Sequence, residues 1–166
     1  SGSCIDLKKS GEAWIGTGAG GSARVLTTHN FGSSWQSYDS PIVKGDFAGI
    51  TSIHFRSVKN GMIAGGDLTD TESFTDNIAF TVDAGKTWEL ASKPSTPGAF
   101  YGSDFIRMKR RNVAIVAGPN GADISLDGGE SWNKILDDNL WVVDLHPSGM
   151  GRLAGQKGNF FKVTLK

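Results

Sequence analysis

Four carboxylates crowd one short stretch of this chain. Asp67, Asp70, Glu72 and Asp76 all fall within Asp67-Leu68-Thr69-Asp70-Thr71-Glu72-Ser73-Phe74-Thr75-Asp76-Asn77. Clustered carboxylate oxygens are the ligands that hard cations such as Ca2+ take. The spacing is not that of a helix-loop-helix calcium site, and an exposed acidic loop without metal is the plainer expectation. Arg107, Lys109, Arg110 and Arg111 form a basic cluster. Four charges leave a weak footprint for a polyanion, so a solvated turn is expected there. Gly16-Thr17-Gly18-Ala19-Gly20-Gly21 fits G-x-G-x-x-G, which cradles a dinucleotide only when a helix follows. Ala23-Arg24-Val25-Leu26-Thr27 follows instead and reads as a strand, so a flexible hairpin loop is expected. His29, His54 and His146 show no metal-ligand spacing. Cys4 is the single cysteine, which excludes an internal disulfide framework and suits a buried strand position. No metal or cofactor is expected.

The elements that must position these groups are set by a repeat. Thr28-His29-Asn30-Phe31-Gly32-Ser33-Ser34-Trp35, Thr81-Val82-Asp83-Ala84-Gly85-Lys86-Thr87-Trp88 and Ser125-Leu126-Asp127-Gly128-Gly129-Glu130-Ser131-Trp132 share the form [Ser/Thr]-x-[Asp/Asn]-x-Gly-x-[Ser/Thr]-Trp. The Trp positions lie 53 and then 44 residues apart, the length of a four-stranded propeller blade. Each residue type has a physical task. The Asp or Asn oxygen accepts hydrogen bonds from turn amides. Gly at the fifth position permits positive φ. The hydroxyl before the Trp can bond back across the turn, and the Trp opens the next strand and buries its ring between blades.

Upstream of each copy lies a Gly-ended apolar strand: Ala13-Trp14-Ile15-Gly16, Met62-Ile63-Ala64-Gly65, Ile115-Val116-Ala117-Gly118, and a fourth copy, Arg152-Leu153-Ala154-Gly155. Upstream again come alternating inner strands around Ile5, Ile53, Phe105 and Val143, the signature of half-buried strands. The order is strand A, strand B, strand C, box turn, strand D. The fold class expected is therefore all-β, a β-propeller of four-stranded antiparallel blades. The blades fall at 1–39, 49–92 and 101–136, with three strands of a fourth at 141–166. In that fourth unit Lys162 and Thr164 stand where a box would have its hydroxyl and its acid. An arc of blades leaves its outer faces bare, so the expectation is that an N-terminal half or a second copy, as a homodimer, closes the ring.

Composition agrees. Gly numbers 23 of 166 residues, suited to many tight turns. Lys and Arg number 17 against 17 Asp and Glu, which argues against a nucleic-acid partner. No apolar run approaches membrane-spanning length.

The box resembles the Asp-box, or BNR repeat, of sialidase-like propellers. Beyond the boxes, Ala13-Trp14-Ile15-Gly16-Thr17-Gly18, Gly61-Met62-Ile63-Ala64-Gly65-Gly66-Asp67 and the run from Val116 to Gly129 resemble the photosystem II stability/assembly factor-like family, in particular its bacterial relatives. The likeness covers nearly the whole chain, but only about the last four blades of a seven-bladed member. It implies an assembly or binding role outside the cytoplasm, periplasmic or secreted, and no established reaction. Photosynthetic members contact a membrane-protein intermediate through a basic patch, and this chain shows no broad patch to match.

Two functions follow as expectations. The first is a non-enzymatic module presenting rim loops to a protein or glycan. B–C and D–A loops share one rim, which gathers Asp67, Asp70, Glu72, Asp76, Phe100, Tyr101 and Trp141, together with Asp46 and Phe47. Phe100 and Trp141 could equally begin inner strands and pack inward. The second is part of a glycan-active hydrolase whose catalytic residues lie mostly elsewhere. Sialidases of this fold bring together three Arg, an acid Asp and a Tyr–Glu pair. Here Arg24, Arg56, Arg107 and Arg152 are scattered over strand positions, and Tyr38 and Tyr101 have no evident Glu. No catalytic residue is assigned.

Overall fold

A computed structural model describes residues 3–166; Ser1 and Gly2, with which the first blade is expected to begin, lie outside it. In chain order the strands are β1 (Ile5–Leu7), β2 (Ala13–Gly16), β3 (Gly18–Gly20), β4 (Arg24–Thr28) and β5 (Gln36–Asp39). Then come β6 (Gly45–Phe55), β7 (Gly61–Asp67), β8 (Ile78–Thr81) and β9 (Glu89–Leu90). The second half holds β10 (Gly102–Met108), β11 (Arg111–Gly118), β12 (Gly121–Ser125), β13 (Asn133–Leu136), β14 (Leu140–Leu145), β15 (Met150–Gly155) and β16 (Phe160–Thr164). They make four antiparallel sheets, ordered β1-β2-β4-β5, β3-β6-β7-β8-β9, β10-β11-β12-β13 and β14-β15-β16. The fold is an all-β propeller arc, and it is not closed.

Strand alternation explains how one sheet serves two neighbours, because successive side chains leave opposite faces. On β7, Ile63 joins Trp14, Val25, Phe55 and Trp88 between the first and second sheets. Its neighbours Met62 and Ala64 turn the other way, to Phe100, Phe105 and Trp132 between the second and third. On β11, Ala114 and Val116 complete that same cluster, while Val113, Ile115 and Ala117 pack with Leu140, Leu145 and Leu153 of the fourth sheet. Each interface is thus a small core of its own. The innermost strands are also tied by polar bonds. The Phe55 amide donates to Asp6 Oδ2, the Leu145 amide donates to Asp104 Oδ2, and the Ser103 amide donates to Ser52 Oγ at 3.0 Å.

The G-x-G-x-x-G stretch is not a free hairpin loop, which corrects the expectation. Gly18–Gly20 is strand β3, and it pairs with the extended start of β6, Gly18 opposite Gly49 and Gly20 opposite Gly45. The pairing needs glycine: a Cβ at Gly18 would stand 2.8 Å from the Ala48 carbonyl oxygen. The stretch therefore stitches the first blade's B–C connection onto the second sheet.

Large apolar side chains stand exposed on both outer faces. Ile5, Leu7, Phe31 and Trp35 stand exposed along an open groove of about 370 Å³ on the first sheet. On the fourth, Val142, Met150 and Phe160 are exposed around a charged row of Asp144, Arg152 and Lys162.

Candidate functional site

The three boxes share one geometry. In the second, the Gly85 amide donates to Thr81 Oγ1 at 3.0 Å and Thr81 Oγ1 donates to Asp83 Oδ1 at 2.8 Å. Asp83 also accepts from the Thr87 amide at 2.9 Å and from Thr87 Oγ1 at 2.7 Å. In the third, Ser125, Asp127, Gly129 and Ser131 repeat every one of these bonds. In the first, Asn30 Oδ1 accepts from Thr28 Oγ1 and the Ser34 amide, both at 2.9 Å, but its Nδ2 now donates to Ser34 Oγ, so the last bond runs in reverse. Gly32, Gly85 and Gly129 have φ of 81°, 85° and 96°. The residue before each is left-handed too, Phe31 at 57° and Ala84 at 68°, which the motif does not announce.

Carboxylates in such turns are held ionised. Partial burial works against the charge of Asp127, but bonds from Ser131 Oγ, Ser125 Oγ and the Ser131 amide outweigh it and bring the carboxyl down to about 2. Asp83 is lowered in the same way: against partial burial act the amide and hydroxyl of Thr87 and the hydroxyl of Thr81. A folded-state pKa below the unfolded value of about 3.9 gives stability that is present above that value and lost as pH falls toward 2. Melting temperature is therefore expected to drop between about pH 4 and pH 2, and Asp127→Asn, which mimics Asn30, should flatten that acid limb. An unchanged slope in the variant would remove the box carboxylate as its source.

The box turns bond to the A–B turns of their own sheets: Phe31 N–H to the Gly11 carbonyl, Ala84 N–H to Lys59 and Gly128 N–H to Asn112, each at 3.0 Å. Boxes and A–B turns therefore share one rim. The B–C and D–A loops meet on the other, where Leu68 N–H donates to the Phe47 carbonyl at 3.0 Å, Gly98 N–H to Ser73 at 2.6 Å and Asn120 Nδ2 to Thr71 at 2.6 Å.

On this second rim the acidic loop is tied down rather than free. Asp67 Oδ1 accepts from the amide and hydroxyl of Thr69, which hold its carboxyl below the usual range. Asp70 Oδ1 accepts from the Glu72 amide at 3.3 Å. The Asp76 carbonyl accepts from the Val43 amide at 3.1 Å, and Phe74 lies under Lys93 at 4.0 Å. Among the described residues no three His, Cys, Asp or Glu side chains are grouped closely enough to hold a metal ion. Phe100 leaves the candidate surface. It is fully buried between the second and third sheets, because Met62, Ala64 and Trp132 converge on it. Tyr101 is half-buried. Trp141 is 48% exposed, its Nε1 donating to Asn139 Oδ1 at 2.8 Å. What folding adds is a pair. Phe47 is 64% exposed and Leu68 46%, and both border an open cavity of about 270 Å³ with Asp46 and Gly18.

The arginines do not converge on this rim. Arg24 Nε pairs with Asp39 Oδ1 at 2.8 Å on the outer strands, and Arg152 is exposed on β15. Arg56 and Arg107 line a cavity at the opposite rim. Tyr38 donates to Gln36, not to a Glu partner.

This geometry defines the class: an arc of an Asp-box β-propeller. No family model and no curated protein matches the sequence. Solved structures do. A chain of YCF48 bound to D1 peptide aligns with TM-score 0.65 and 17% identity over 95% of this chain and 48% of its own. The Niastella koreensis GH74 enzyme aligns with TM-score 0.66 and 13% identity, over 97% of this chain and 28% of its own. The computationally designed Ika4 protein aligns with TM-score 0.65 and 8% identity, over 98% of this chain and 89% of its own. This chain thus spans about half of the first and about a quarter of the second. At these identities the shared property is the fold, which carries a peptide-bound protein, an enzyme and a designed protein alike.

Proposed function

We propose that this propeller arc is a non-enzymatic binding module that recognises a protein segment on the rim opposite the boxes. The observation that carries the reading is the exposed pair Phe47 and Leu68 beside an open cavity that Asp46 also borders, with Asp67, Asp70 and Glu72 on the same loop as Leu68. Exposed apolar side chains ringed by charge mark interaction surfaces, and the carboxylates select a basic, apolar segment. A D1 peptide on one solved propeller of this fold supports peptide recognition as a use of the scaffold. Trp141 extends the surface toward the fourth sheet. The outer faces, with Ile5, Leu7, Val142 and Phe160 exposed, are completed by further propeller sheets, from the same chain or a second copy. A location outside the cytoplasm is proposed on the family resemblance alone.

An array of peptides combining Lys or Arg with aromatic residues tests the reading directly. Binding is expected, with loss of roughly tenfold or more in the Phe47→Ala, Leu68→Ala double variant, as for an apolar anchor at an interface centre. Full binding by that variant, or turnover of a fluorogenic aryl sialoside by the wild-type chain, would sink it.

A further inference from the structure

The innermost strands of all four sheets end together at the box rim. Lys8 follows β1, Arg56 follows β6, Arg107 is next to last in β10, Leu145 ends β14 and Pro147 lies in the turn after it; together they border an open cavity of about 340 Å³. The carboxylates nearby are already engaged. Asp6 accepts from the Phe55 amide and from Lys8 Nζ at 3.0 Å. Asp104 accepts from the amides of Phe105 and Leu145 and stands 3.0 Å from His54 Nε2. Arg56 and Arg107 have no carboxylate partner among the described residues.

Arg56 is held in place. Its guanidinium lies over the Phe105 ring, 5.1 Å from the centroid, and Nη2 donates to Asn60 Oδ1 at 2.9 Å. Its Nε is buried and makes no hydrogen bond. Burial first, and the charge of Arg107 second, depress the Arg56 pKa. Two like charges lining one cavity cost free energy until an anion joins them. Guanidinium forks match carboxylate and phosphate oxygens in pairs. The rest of the wall is Lys8 and His54 together with an apolar part from Phe55, Phe105, Ile106, Leu145 and Pro147.

We propose that this cavity binds an organic oxyanion, a carboxylate or phosphate carried on an apolar body, with Arg56 and Arg107 clasping the oxyanion and Phe105, Leu145 and Pro147 covering the body. The site lies on the rim opposite Phe47 and Leu68, so it stands or falls separately from peptide recognition there.

Calorimetric titration of the chain with benzoate, phenyl phosphate and inorganic phosphate tests it. One or both aromatic anions should bind saturably at one per chain, and their relative strength names the head group. Inorganic phosphate should bind roughly tenfold more weakly, lacking the apolar body. Arg107 is exposed, so Arg107→Ala should fold normally and lose roughly tenfold or more in affinity. Arg56→Lys, which keeps charge but not the fork, should weaken binding as well. Arg110→Ala, three residues along the same turn, should change nothing. No saturable binding of either aromatic anion overturns the proposal. So does an Arg107→Ala protein that binds like wild type, or an Arg110→Ala protein that loses as much.

Discussion

Trp88→Ala is expected to lower stability by about 3–5 kcal/mol, the range for removing a large buried ring. Trp88 is only 9% exposed. It meets the Phe55 ring edge-on at 5.9 Å and 82°, and Phe55 in turn stacks on Trp14 at 3.7 Å and 12°. The box turn holds both indoles: Trp88 Nε1 donates to the Gly85 carbonyl at 3.0 Å and Trp14 Nε1 to the Ala84 carbonyl at 2.8 Å. Truncation therefore opens a void between two sheets and frees a turn carbonyl at once. The melting temperature should fall on the order of 10 °C for a domain of this size. Trp35, at the same place in the first box, is 43% exposed, since no sheet covers that face in the arc. Trp35→Ala should stay within about 1 kcal/mol of wild type. Equal shifts for the two variants would show that the interface between the first and second sheets is not what the ring stabilises.

Asp123→Ala is expected to cost a similar amount, about 3–5 kcal/mol, because it orphans buried donors around a removed charge. Asp123 sits on β12 and is fully buried. Its carboxylate accepts from the Ser95 amide, from the Thr96 amide at 2.9 Å and from Thr96 Oγ1. Thr96 is itself buried, and Ser95 Oγ donates to the Trp132 carbonyl at 3.0 Å. One side chain thus anchors the middle of the connection between the second and third sheets at Ser95 and Thr96. Asp123→Asn keeps an acceptor and should lose less. Urea unfolding decides the matter: the Ala variant should move the midpoint down with an unchanged slope, and a midpoint within error of wild type would mean the loop is held by its other contacts.

Asp123 carries no mark in the sequence. It lies in a run already read as strand and box, and its partners stand 27 and 28 positions earlier. The acidic loop shows the same limit. Its composition announced a solvated feature, yet Ser73, Thr71 and Asp76 are bonded through backbone carbonyls to segments before and after it. Backbone partners leave no compositional trace, so no inspection of residue types finds them.

By itself the sequence determined the box turns, the strand order and the fold class. All three rest on local chemistry. A hydroxyl, an acid, a glycine and a Trp at fixed offsets close one turn with bonds spanning four residues, and strand alternation needs only near neighbours. Tertiary structure alone decided three other things. Gly18–Gly20 became a strand because its partner, β6, begins 25 residues on and glycine lets the two backbones touch. Phe100 went inside because side chains from two sheets converge on it. Arg107 read as part of a solvated turn with Lys109, Arg110 and Arg111; it is exposed, and folding also sets it on a cavity that Arg56, half a hundred residues earlier, lines with it. Which charges share a cavity depends on how the sheets pack side by side, and that follows from packing all three interfaces at once rather than from any one repeat.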